Sequence, residues 1–230
     1  MARRAIFIDV GGPIYPDDNF LAAAFVAINA LRDTAAQAPI TPQQMRGTFD
    51  RVRNRSSGSL RKTLAAEFLG SEDRHHVLHQ AIAPLWVHPE GSLFSDVIPF
   101  LQSVASDAVV AIVANQEQAT IDALVRDQVA PFIDVWGISA VVGFEKPSAK
   151  FFQWALDQSG VEAASAVHIG NRFTNDVLPA HQLGLKTVWL LRGEAPDDPP
   201  ASQREIADIV TSSLDGLGPR VLAMWGGSDG

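Results

Sequence analysis

Four short apolar runs in this chain each lead into polar residues of the kind that take part in covalent or ionic chemistry. Asp9 closes the run that begins at Ala5 and stands before Gly11-Gly12. Asn115 follows the run at 109–113, Lys146 follows a shorter one at 140–142, and Asn171 and Asp176 follow the run at 166–169. A carboxylate can attack phosphorus or carbon and hold the product as an ester. A lysine and backbone N–H groups offset the charge of an anionic group during transfer. A bland reading stands beside each residue: a turn-forming Asp9, a solvated Lys146, and helix caps at Asn115 and Asp176.

The runs read as strands, and helical patterns alternate with them: an apolar face through Val97, Phe100, Leu101 and Val104, then segments at 118–127, 151–158 and 175–183. Strands alternating with helices predict a doubly wound α/β fold on a parallel sheet. Such sheets bind ligands beyond the carboxyl ends of their strands, where the polar residues fall. From about 19 to 88 the pattern is helical throughout, with Thr41, Pro42 and Gln44 giving a clear helix start. The expected division is therefore an α/β core of residues 1–15 and 95–230 with a small helical cap at 16–94 inserted in it.

The 230 residues carry a formal charge of −8 and no cysteine. The charge argues against a nucleic-acid surface. The missing cysteines exclude disulfides and thiolate chemistry and fit a reducing, cytoplasmic setting. No apolar stretch is long enough to span a bilayer, so no membrane partner is expected. The expected partner is a small anionic substrate, and the assembly a monomer or homodimer.

The four motifs, in order, resemble those of the haloacid dehalogenase superfamily: FIDVGGPIY at 7–15, AIVANQ at 111–116, GFEKPSAKFF at 143–152, and HIGNRFTNDVLPAHQLGLKTVWL at 168–190. The insert lies where that family carries a helical cap of the first type. The resemblance implies Asp9 as nucleophile and Lys146 as its catalytic partner. It implies substrate contacts at Gly12, Ala114 and Asn115, and Mg²⁺, weakly held, at Asp9, Gly11, Asn171 and Asp176. It also shows departures. Gly11 stands where family phosphatases carry a second Asp, Pro13 and Ala114 replace hydroxyl or branched residues, and Asn171 replaces an Asp. The leading expectation is a phosphatase of a small phosphorylated metabolite acting through an aspartyl intermediate. Hydrolysis of a carbon–halogen or related bond, and a catalytically weak binding protein, are the alternatives.

In the insert, Arg51, Arg53, Arg55, Arg61 and Lys62 bracket Ser56-Ser57-Gly58-Ser59. Arg53, Arg55 and Arg61 are candidate clamps for substrate oxyanions, against the bland reading of a solvated face. His75, His76 and His79 read as a solvated helix face, and His168 as a satisfied core histidine.

Overall fold

A computed structural model describes residues 3–55 and 58–226. The chain runs β1 (Ala5–Ile8), α1 (Asp18–Thr34), α2 (Pro42–Arg55), α3 (Leu60–Leu69), α4 (His75–Ile82), α5 (Val97–Val104), β2 (Val109–Ala114) and α6 (Ala119–Arg126). It continues through β3 (Val135–Ile138), α7 (Ser139–Val142), α8 (Ala149–Ser159), β4 (Ala166–Gly170), α9 (Leu178–Gln182), β5 (Lys186–Leu190), α10 (Ala201–Arg204), β6 (Ile209–Thr211) and α11 (Leu217–Ala223). The six strands form one sheet in the order β3-β2-β1-β4-β5-β6, with every pairing parallel. This is the predicted doubly wound α/β architecture.

Alternation along the strands supplies both faces of the sheet. Ile6, Ile8, Val110 and Ile112 pack with Phe100, Leu101 and Val104 of α5 and Leu217 and Val221 of α11. Phe7, Ala111 and Val113 point the other way, onto Phe151, Phe152 and Ala155 of α8. Burial on both faces explains why β1 and β2 read as unbroken apolar runs. The helices α1–α4 share a separate core that includes Phe20, Ile28, Phe49, Leu64, Leu78 and Ile82. Thr41 and Gln44 close the expected capping box: Thr41 N–H donates to Gln44 Oε1 at 2.8 Å, and Gln44 N–H to Thr41 Oγ1 at 3.2 Å.

Two expectations change. The strand expected at 140–142 lies earlier, at Val135–Ile138, and Ser139–Val142 is a helical turn. The helix expected at 175–183 begins as a π-helical turn over Phe173–Val177, which carries Asp176 inward. Of the bracketed stretch Ser56-Ser57-Gly58-Ser59, the first two residues lie outside the described residues.

Candidate active site

Asp9 leaves the carboxyl end of β1, the central strand of the carboxyl-end crevice. One of its oxygens, Oδ1, accepts the N–H of Val10 at 2.8 Å. The other, Oδ2, lies 2.9 Å from Lys146 Nζ. The lysine side chain is fully buried and also reaches Asp176 Oδ1 at 2.6 Å. Its backbone is fixed by Asn115, whose Nδ2 donates to the Lys146 carbonyl at 2.8 Å while its Oδ1 accepts the Lys146 N–H at 2.7 Å. Asn115 thus holds the catalytic candidate in place.

Burial pushes the Asp9 carboxyl above its ordinary value, and Lys146 opposes that shift. Burial acts the same way on Asp176, but there the charge of Lys146 and the hydrogen bond from His168 prevail and hold the carboxyl well below the usual range. Asp176 is therefore an ionised anchor for the lysine. Both its oxygens are engaged, Oδ1 with Lys146 and with His168 Nε2 at 3.3 Å, and Oδ2 with the Arg172 N–H at 2.9 Å. It is not among the residues lining the cavity. His168 is held by Asp176 on one nitrogen; its Nδ1 has no partner among the described residues, so the buried core histidine is satisfied on one side only.

A cavity of about 870 Å³ opens over Asp9 between the sheet and the helical insert. Asp9, Gly11, Asn115, Lys146 and Asn171 reach it from the core. Gly12 and Ala114 do not line it; Gly12, at φ +85°, makes the tight turn that a side chain would block against Asn171, and Ala114 is wholly buried. From the insert come Arg61, Lys62, His75, His76 and His79; the three histidines border the cavity and stay part-exposed or exposed, as a solvated helix face would be. Arg53 and Arg55 are not on its wall. Arg53 is paired with Asp197 and, at 3.3 Å, with Asp50, while Arg55 is exposed.

Three lining residues have no signal in the sequence: Asp17, Arg172 and Glu194. Asp17 is half-buried. Its Oδ2 accepts N–H groups from Asn171 at 3.1 Å and Glu194 at 2.8 Å, and its Oδ1 turns toward Gly11. A Cβ built on Gly11 would lie 2.7 Å from that oxygen. Burial, and then the charge of Glu194, raise the Asp17 carboxyl well above its ordinary value. Asp17 directly precedes α1, and the fold returns it to Gly11.

A family model for haloacid dehalogenase-like hydrolases matches residues 3–184. The chain belongs to that family. This hydrolase is 34% identical over 94 residues to glyceraldehyde 3-phosphate phosphatase of Methanocaldococcus jannaschii, a match covering 41% of the chain and 40% of that enzyme. It is 24% identical over 213 residues to the enzyme of the same name from Methanopyrus kandleri, covering 90% and 91%. The magnesium-bound YfnB structure from Bacillus subtilis shares its fold, with a TM-score of 0.70 and 19% identity over 96% of the hydrolase and 99% of YfnB.

Beside Asp9 the cavity wall carries oxygen donors at Gly11, Asp17 and Asn171, and hard cations take such donors. Among the described residues no three acidic or histidine side chains stand close enough to enclose a metal. A magnesium ion held by one or two protein oxygens and completed by substrate phosphate fits this set. No helix among the described residues is long and apolar enough to cross a membrane.

Proposed function

We propose that this hydrolase cleaves small phosphate monoesters through a phosphoaspartyl intermediate on Asp9. The supporting observation is the Asp9 carboxylate, fixed by Val10 N–H and Lys146 and facing the cavity. In the first step an Asp9 oxygen bonds to phosphorus, and the bond from phosphorus to the ester oxygen breaks. Lys146 offsets charge on the transferring group, and Arg172 adds a second cation on the wall. Asp17, beside Gly11, is placed to hand a proton to the leaving oxygen. Water then gives a proton to Asp17 and attacks phosphorus, the bond from phosphorus to Asp9 breaks, phosphate leaves, and both carboxyl groups are restored.

Mg²⁺ held by Asp9, the Gly11 carbonyl and Asn171 would screen phosphate charge. The neutral amide at Asn171 makes that affinity weak. The anionic small-molecule partner, the monomeric or dimeric state and the cytoplasmic setting belong to the same proposal.

Gly11 and Asn171 also favour a second reading, hydrolysis of a carbon–halogen or related bond without metal. A panel of phosphate esters and 2-haloacids, each with and without Mg²⁺, separates the readings. Phosphate release that needs the metal and vanishes in Asp9→Asn supports the proposal. Halide release without metal selects the second reading. Silence across the panel leaves a binding protein.

A further inference from the structure

Arg61 differs from every other basic residue of its cluster. Arg51 pairs with Glu67 at 2.6 Å, Arg53 pairs with Asp197, and Arg55 and Lys62 are exposed. Arg61 lies at the start of α3 and is one of the residues lining the cavity. Its Nε is buried without a hydrogen-bond partner. Glu117, Glu145 and Glu194 share the cavity, yet no carboxylate oxygen comes within 4.0 Å of Arg61 among the described residues. Burial lowers its pKa from the ordinary value, which is the mark of a cation without adequate compensation. Removing an unpaired cation from water is costly, and such sites are kept where a ligand supplies the opposite charge.

We propose that Arg61 receives a second anionic group of the substrate, a carboxylate or a phosphate at the end remote from the transferred phosphoryl group. The substrate class is then a phosphate monoester with two anionic ends. This rests on the phosphatase reading above and adds what the leaving alcohol must carry. The guanidinium fork takes two oxyanion lone pairs side by side. The cavity, about 870 Å³, has room for a chain of several carbons between the two anionic ends. The enzyme's overall charge of −8 repels a dianion at long range, so an unpaired local cation on the insert side of the cavity favours such a substrate.

The test uses matched pairs: 2-phosphoglycolate against its carboxamide, and a 1,3-propanediol bisphosphate against the monophosphate. For the full-length enzyme, kcat/KM is expected to favour the doubly anionic member by on the order of 30-fold. In Arg61→Gln that ratio falls toward unity, and Arg61→Lys keeps part of it. Preference for the carboxylated pair alone, or for the bisphosphate alone, tells which oxyanion is read. A purely structural Arg61 lowers both members of a pair alike and leaves the ratio intact, which overturns the proposal. Should no ester release phosphate, the phosphatase reading falls by itself. Calorimetry of the same pairs on Asp9→Asn then decides the role of Arg61. Tighter binding of the doubly anionic ester, lost in Asp9→Asn/Arg61→Gln, sustains it, and equal binding ends it.

Discussion

A side chain at position 11 would meet Asp17 before it met substrate. Gly11 is therefore coupled to Asp17: the carboxyl reached through the loop fills the volume that an aspartate at 11 would need. Gly11→Asp is expected to lower kcat/KM, because it presses two carboxylates together at the edge of the nucleophile's cavity. Adding Asp17→Gly to that variant should recover part of the loss. A gain in the single variant would show that Asp17 yields easily. Asn171 obeys the same logic. Its amide N–H groups go to Asp17 and, at 3.0 Å, to the Arg192 carbonyl. Asn171→Asp sets acceptor against acceptor and costs about 1–3 kcal/mol in the absence of metal. The added charge should also tighten Mg²⁺. Thermal melts are thus expected to show a lower Tm in EDTA and a larger Mg²⁺-induced rise than in the parent. An equal rise in both proteins would place Asn171 away from the cation.

Loops at the carboxyl ends of the strands are pinned by buried polar groups, and Asp96 is the clearest case at this scale. It stands before α5 and accepts from Arg192, from Ser213 Oγ at 2.8 Å and from Leu214 N–H at 2.9 Å. Burial works against its ionised form, but these donors hold its pKa below the ordinary value. A depressed carboxyl adds stability that is full above its unfolded pKa, about 3.9, and fades as pH falls toward the folded value. Asp96→Ala should cost about 2–4 kcal/mol at neutral pH, since it leaves Arg192 largely buried without its partner. Urea titrations at pH 7 and at pH 3 check this; a loss of equal size at both would mean that ionisation is not involved. The same scale shows what the sequence made legible. β1, β2 and β4 announce themselves because burial on both faces demands continuous apolar residues. β3 escapes because Gly137 interrupts it and its first two residues are half-exposed at the sheet edge. Ala140-Val141-Val142 imitates a strand but turns as a helix that leaves Val141 exposed. β6, with three half-buried residues at the other edge, has no period to read. Asp9 was legible because motif and strand end coincide; Lys146 was legible from its motif alone, since a helical turn and not a strand precedes it. Asp17, Arg172 and Glu194 were not, because their roles arise from chain crossings that no local pattern encodes.

Polar contacts join insert to core at the level of the whole molecule. Arg53 reaches Asp197 and, at 3.5 Å, the Gly193 carbonyl; His79 Nε2 stands 3.5 Å from Glu117. Exposed ion pairs contribute at most about 1 kcal/mol each, too little to lock the two parts together. Arg53→Ala is accordingly expected to enlarge the radius of gyration in small-angle scattering while shifting stability by under about 1 kcal/mol. An unaltered scattering curve would assign closure to apolar contacts. The sheet order has a further consequence, for synthesis on the ribosome. β1 is central, and its neighbours are β2, where Ala5 meets Val109, and β4, where Ala5 meets Ala166. Chains emerge from the amino end at roughly 5–20 residues per second, so the strand that precedes the nucleophile is made first and waits for β2 before it has a neighbour. For that interval Ile6, Phe7 and Ile8 have no neighbouring strand, while the helices after them can close on their own core. The nascent chain passes through a stage with a finished insert and an unsheltered apolar strand, and that stage is where a chaperone would bind it.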